Sequence, residues 1–173
     1  MMDSVLIANI ISFLALFFTF YASSRKEKKK VLFYQTIYMI MMLSTNIILK
    51  AHVAIITNLV AITRNIIVIK DINFKNSRYV FATIVVVFGL IFNNRGIVGF
   101  LPIIANLAQT LVIANLKSKD IHIHAALSVS YSVWSIHGLL IQNYVSFATD
   151  LINALINIKY LITNKNEWKE KMA

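Results

Sequence analysis

Seven long apolar segments are the feature that most constrains the fold of this 173-residue chain. Short stretches that hold most of the charges separate them: Val5–Tyr21, Val31–Leu49, His52–Ile69, Tyr79–Phe92, Ile97–Leu116, Ala125–Ile141 and Tyr144–Ile162. Most approach the roughly 20 residues that an α-helix needs to cross the hydrocarbon core of a bilayer. Because an open strand edge leaves backbone groups unsatisfied in lipid, each segment is predicted to be helical. The predicted fold class is an all-α integral membrane protein with seven transmembrane helices.

Composition supports the membrane class and excludes others. Hydrophobic residues make up 58% of the chain and charged residues 14%. The formal net charge of +10 does not indicate nucleic-acid binding, because Lys and Arg lie between the apolar segments and not along a groove with stacking aromatics. The chain has no cysteine, which excludes disulfides and thiolate metal sites. The predicted partners are therefore the lipid bilayer and, at most, a small polar solute.

The loop charges predict an orientation. Basic residues concentrate in "RKEKKK" (25–30), "KDINFKNSR" (70–78), "KSKD" (117–120) and the tail "NKNEWKEKMA" (164–173), whereas the alternate loops hold only Lys50 and Arg95. The positive-inside rule then places the N-terminus outside and the C-terminus in the cytoplasm. Two segment pairs, joined near Lys50 and near Gln142, are too long for one crossing each and must turn there. The fourth segment is the shortest, at about 21 Å of helix.

An internal repeat is predicted from a shift of 92 residues, which superposes the segments without a gap. The turn at Lys50 then meets the turn at Gln142, and Asn58 falls on Asp150. Chance agreement between apolar residues is the alternative. The repeat predicts a single membrane domain with two parallel three-helix units, 5–69 and 97–162, joined by a linker helix, 79–92, and followed by a basic cytoplasmic tail, 163–173.

A polar stripe runs along the last segment, where Ser146, Asp150, Asn153 and Asn157 are spaced to share one helix face. For the serine and the asparagines, hydrogen bonding between helices is the favoured interpretation. Asp150 differs, because a carboxylate at depth costs about 2.5 to 3.5 kcal/mol even on the mildest insertion scale. His137, at a similar depth on the sixth helix, is favoured as its partner over Arg64, which lies about 9 Å further toward the cytoplasm.

Three further side chains have two interpretations each. Arg64 on the third helix either snorkels to the inner surface or contacts an anionic group of a substrate. Trp134 either forms the wall of a pocket or simply packs and anchors the helix. Pro102 either acts as a hinge in the fifth helix or marks its first turn.

The chain resembles the YgjV-type family of bacterial inner-membrane proteins in "NLVAITRN", "LPIIANLAQT", "WSIHG" and an acidic residue early in the seventh helix. That family is similar to the SWEET and PQ-loop transporters, which have three, one and three helices. The resemblance implies an inner (plasma) membrane location, and a substrate site formed by Asn58, Asp150 and Trp134. The chain departs from the SWEET pattern in having Asp150 in place of asparagine and Met42 in the slot that matches Trp134. The resemblance therefore does not assign a sugar as the substrate.

The predicted function is a small secondary transporter or facilitator of a polar metabolite. Its predicted substrate-binding residues, which include the partners of Asp150, are Asn58, Asp150, Trp134, His137, Asn157, Arg64 and Asn153. The alternative is a non-transporting binder, sensor or assembly protein whose polar stripe only holds helices together. An enzyme is the least supported class, because the sequence has no Gly-rich phosphate loop, HExxH motif or Cys cluster. No cofactor is predicted, and the "IHIH" spacing does not favour a metal site.

Overall fold

Helices account for all the regular structure in the part of the chain that the computed structural model describes, residues 2–25, 27–72, 76–115 and 119–164. The elements are α1 (Met2–Ser23), α2 (Lys28–Ile48), α3 (His52–Ile69), α4 (Ser77–Ile91), a 3-10 turn (Gly96–Gly99), α5 (Phe100–Ile113), α6 (Asp120–Leu140) and α7 (Tyr144–Thr163). The all-α prediction is confirmed for these ranges. Most of the predicted basic tail lies outside the described residues.

Five helices are long and apolar enough to cross a membrane, namely Asp3–Ser23, Lys28–Ile48, His52–Ile69, Gly96–Ile113 and Tyr144–Thr163. Five of the seven predicted spans therefore correspond to helices of suitable length and composition. Helix α4 has 15 residues, about 22 Å of helix, and is short as expected. Helix α6 has 21 residues, including four serines and three histidines, and is not among these five. Several of these polar side chains point into the bundle, where Ser130, His124 and His137 are buried.

Six helices form a closed ring. Its principal contacts join α1 to α2, α2 to α3, α3 to α5, α5 to α6, α6 to α7, and α7 back to α1. Helix α4 lies outside this ring and packs against α3 and α5. It approaches α5 closely at Gly89, where an added Cβ would lie 2.6 Å from Cγ1 of Ile103.

The two tight turns between long helices have the same backbone geometry. Lys50, between α2 and α3, has φ 53°, and Gln142, between α6 and α7, has φ 63°. In both turns the amide of the next residue donates to the carbonyl five residues back at 2.9 Å. A left-handed residue closing a helix in this way satisfies its last carbonyls. Both predicted turns are confirmed, and they define the Lys50 end of the bundle, which also carries Arg95; the opposite end is the Lys70 end.

Many polar side chains lie inside the bundle, and many large apolar side chains lie on its outside. Phe13, Ile10 and Leu6 on α1 expose 54%, 53% and 61% of their surface, whereas Gln35 and Asn65 are fully buried. In water this distribution would leave a large unprotected apolar surface. In lipid it places apolar side chains against hydrocarbon and pairs the polar ones within the protein.

Candidate functional site

A small cavity lies inside the ring and is lined by five helices. Its lining residues are Tyr38, Met39, Met42 and Asn46 of α2, Asn58 of α3, Gln109 of α5, Tyr131 and Trp134 of α6, and Asp150 of α7. The space open to the centre of a water-sized sphere is about 20 Å³, which is room for about one water molecule. In this conformation the cavity is therefore closed to larger solutes.

The Asp150 carboxylate is the central polar group of this cavity. It is 1% exposed. Its Oδ1 accepts a hydrogen bond from the Tyr38 hydroxyl at 2.8 Å, and its Oδ2 accepts one from the Ser146 hydroxyl at 3.2 Å. Among the described residues, no lysine, arginine or histidine forms an ion pair with it. The carboxylate is held by two neutral donors, and each oxygen keeps capacity for a further bond.

His137 does not take the place predicted for it beside Asp150. Its buried ring packs against the edge of Trp134, with ring centroids 5.3 Å apart. The side chain that reaches the carboxylate is Tyr38, from α2. Two residues at a similar depth on different helices need not face each other. At this depth the side chain that meets Asp150 comes from α2, across the ring.

Asn58 and Trp134 lie in the same cavity as Asp150. They come from α3, α6 and α7, and Met42 of α2 completes the set of positions that the resemblance implied. Asn58 is 4% exposed. The structure thus brings these three predicted site residues together.

Arg64 is buried inside the bundle and does not snorkel to a surface. Its Nη1 donates to Oγ1 of Thr110 at 2.9 Å, its Nη2 donates to Oδ1 of Asn65 at 2.8 Å and to Oε1 of Gln109 at 3.3 Å. Gln109 also accepts from Nε2 of Gln35 at 3.0 Å. All these acceptors are neutral. The guanidinium is therefore linked to the cavity through Gln109, but it does not line the cavity itself.

Asn153 and Asn157 lie on the same face of α7 as Asp150, but nearer the Lys70 end. Oδ1 of Asn153 accepts from the Ser23 hydroxyl at 2.7 Å, and Nδ2 of Asn157 donates to the same hydroxyl at 3.4 Å. Oδ1 of Asn157 also lies 2.7 Å from Nδ1 of His124. Neither asparagine lines the cavity. Their contacts join α7 to α1 and α6, as in the favoured interpretation of the stripe.

Pro102 is the third residue of α5, so it marks the first turn of that helix. The first N–H groups of a helix have no carbonyl partner within the helix, so a proline in the first turn costs no helical hydrogen bond. The position matches the first-turn interpretation of Pro102, and the hinge interpretation stays a prediction.

Five cavity residues had no role predicted from the sequence: Tyr38, Met39, Asn46, Gln109 and Tyr131. The sequence contained a spacing signal for two of these residues, Tyr38 and Asn46. Tyr38, Met42 and Asn46 are spaced by four residues and so share one face of α2. Since Met42 was already placed opposite Trp134, that face was identifiable as the cavity wall.

Comparison with known families identifies one match. The model of the family Imp-YgjV, described as bacterial inner membrane protein, matches residues 6–166. No curated protein and no solved structure matches the chain. Since the match covers most of the chain, the protein belongs to this family of bacterial inner membrane proteins.

Proposed function

From its membership of a bacterial inner membrane family and from the geometry of its cavity, we propose that the chain is a small secondary transporter or facilitator of a polar metabolite. The proposed architecture is SWEET-like, with α1–α3 and α5–α7 as two parallel three-helix units and α4 as the linker. The proposed site is the cavity between the units. Neither a cofactor nor an enzymatic reaction is part of the proposal.

The composition of the cavity wall carries this proposal. Six of its residues form three pairs that are each 92 positions apart in the sequence: Met39 and Tyr131, Met42 and Trp134, Asn58 and Asp150. If the two units are related as proposed, matched positions of both units line the same cavity. Transporters built from repeats place their substrate site at such an interface, near the middle of the membrane.

Helix contacts and turns support the same architecture. The shift by 92 residues relates the α1–α2 contact to α5–α6, the α2–α3 contact to α6–α7, and the α3–α5 contact to α7–α1. It also relates the two left-handed turn residues, Lys50 and Gln142. A ring with two matching boundaries between units, α3–α5 and α7–α1, has natural places to open.

The proposed orientation places the Lys50 end outside and the Lys70 end in the cytoplasm. It is supported by the loop charges, since the short loops at the Lys70 end carry most of the Lys and Arg. A solute from outside would then reach the cavity from the Lys50 end.

Within the site we assign Asp150 as the acceptor of a proton or of a substrate amine. Tyr38 and Ser146 hold its carboxylate in place through the two hydrogen bonds described above. Asn58 offers an amide to the solute, and Trp134 forms an apolar wall. Arg64 stabilises the polar network below the cavity.

Uptake by reconstituted vesicles tests the proposal. Protein in liposomes with an imposed proton gradient is offered a panel of polar metabolites, and the wild type is expected to move at least one of them. Asp150→Asn is expected to abolish uptake or its dependence on the gradient. Asp71→Asn is the matched control, because Asp71 is an exposed carboxylate that pairs with Lys29. Full and still proton-dependent uptake by Asp150→Asn would overturn the role of Asp150.

A second candidate function is a non-transporting membrane binder or sensor. Two observations favour it: the cavity has room for about one water molecule, and Asn153 and Asn157 bond between helices. It predicts that Asp150→Asn lowers thermal stability while no solute moves in the same vesicles. The flux measurement therefore separates the two candidates.

A further inference from the structure

A wide vestibule opens at the Lys50 end, at the start of the proposed path of the solute to the cavity. It has a volume of about 720 Å³ and is lined by the ends of α1, α2 and α6 and by the loop before α5. Two of its lining residues, Lys50 and Arg95, are cationic, and none of those identified is acidic. Asp3 is the one carboxylate close by in sequence, beside the lining residue Ser4. The entrance therefore presents a net positive surface to an approaching solute.

Two buried donors without protein partners lie along this path. Nη2 of Arg95 donates to the Leu49 carbonyl at 2.6 Å, but its Nε has no hydrogen-bond partner among the described residues. Nδ2 of Asn46 likewise has none, although Asn46 is 2% exposed and lines the cavity. A buried N–H without a partner costs free energy. Both donors are suited to an acceptor that a ligand brings.

The carboxylate of Asp150 lies deeper than these donors. Asn46 is four residues before Lys50, and Asp150 is eight residues after Gln142. At about 1.5 Å per residue, Asp150 is therefore about 6 Å further from the Lys50 end than Asn46. From the entrance inward, the path presents cations, then an amide donor, then a carboxylate.

From this order we infer that the solute of the proposed transport site is a small zwitterion. Its anionic group lies toward the Lys50 end, on Nδ2 of Asn46 and below Lys50 and Arg95, and its amine lies on Asp150. A simple cation meets two like charges at the entrance, and a simple anion meets Asp150 at the end of the path. A solute that carries both charges is attracted along the whole of it. The assignment rests on the proposed transport function and names its substrate class.

Vesicle uptake of chemically matched solutes tests this inference. The probes are a labelled mixture of small neutral L-amino acids, the decarboxylated amine and the deaminated acid of whichever one moves, and a neutral polyol. Wild-type vesicles are expected to move the amino acid at least tenfold faster than either analogue or the polyol. Protein-free vesicles give the leak.

Three variants probe the path itself. Asn46→Leu keeps the branching and the number of heavy atoms of the side chain and removes the donor, so the KM for the amino acid should rise about tenfold or more, as when a hydrogen bond to a charged group is lost. Lys50→Asn should raise the KM, since asparagine tolerates the left-handed backbone and removes the charge. Lys70→Asn is its matched control, at the other end of α3, and should leave the KM unchanged. Asn46→Asp should shift the preference toward the decarboxylated amine.

The outcomes are distinguishable. Uptake of the polyol, the amine or the acid in preference to the amino acid would overturn the zwitterion assignment and leave the transport function standing. Another outcome is an unchanged KM in folded Asn46→Leu together with an unchanged preference in Asn46→Asp. That result would mean that only water binds this donor, and it would also overturn the zwitterion assignment. No flux of any probe or of the wider metabolite panel would overturn both proposals.

Discussion

The hydrogen bond from Tyr38 to Asp150 gives the sharpest test of the site geometry. Tyr38→Phe removes only a hydroxyl and keeps the ring, so it opens almost no cavity. The bond is 2.8 Å long and both residues are buried. Hydrogen bonds to charged groups contribute about 1.5 to 3 kcal/mol, whereas buried side-chain bonds in membrane proteins average about 0.6 and reach about 1.7 kcal/mol. We expect Tyr38→Phe to lower the free energy of unfolding by about 1 to 2 kcal/mol.

Thermal and chemical unfolding in detergent measure this change. For a chain of this size, 1 kcal/mol corresponds to about 2 to 4 °C in Tm. Tyr34→Phe is the matched control on the same helix, because the Tyr34 ring stacks on Tyr21 at 5.6 Å and is likewise retained. In an Asp150→Asn background, the cost of Tyr38→Phe should fall toward the neutral value of about 0.6 kcal/mol. If Tyr38→Phe and Tyr34→Phe lowered the free energy of unfolding equally, the assigned bond would be refuted. If the effect of Tyr38→Phe were unchanged in the Asp150→Asn background, its dependence on the carboxylate would be refuted.

Other parts of the bundle give equally direct tests. Ser23→Ala should lower the free energy of unfolding by about 0.6 to 1.7 kcal/mol, because it removes hydrogen bonds to two side-chain amides of α7. Ser24→Ala should be neutral, since the Ser24 hydroxyl donates to the Tyr21 carbonyl within its own helical turn. Gly138→Ala should destabilise by about 1 to 3 kcal/mol, because its Cβ would lie 3.0 Å from a backbone nitrogen of α7; a Tm equal to wild type would contradict this close approach. Reporter fusions after Lys119 and Lys171 should both report the cytoplasm, and an external signal from either would contradict the proposed orientation.

Helix ends and turns were predictable from the sequence because they depend on local composition. The apolar runs break at Lys50, and α2 ends and α3 begins within three residues of that lysine. The same holds at Gln142 for α6 and α7. Length limits on a membrane helix leave few other places for a turn. Those constraints act within one segment and need no knowledge of its neighbours.

Partners across the ring were not predictable in the same way. Depth along a helix axis is readable from residue counts, but it was the family resemblance that grouped Asn58, Trp134 and Asp150. The direction of a side chain around the axis depends on which helices are neighbours. Tyr38 rather than His137 reaches Asp150 because α2 faces α7 at that depth, a relation that exists only once the ring has closed.

Polar bonds at the boundaries between the proposed units bear on whether the bundle can move. At the α1–α7 boundary Ser12 accepts from Asn143 at 3.0 Å, and Ser23 bonds both Asn153 and Asn157. The Val145 amide also donates to Oδ1 of Asn9 at 3.0 Å. At about 0.6 kcal/mol each, these four bonds contribute about 2 to 3 kcal/mol, and water entering the boundary can replace them. A difference of a few kcal/mol leaves a minor state populated at about 0.1 to 10%. Bonds that hold helices together in the closed state are therefore compatible with opening. They do not by themselves favour a static bundle over a transporter. Solute flux is the property that separates the two.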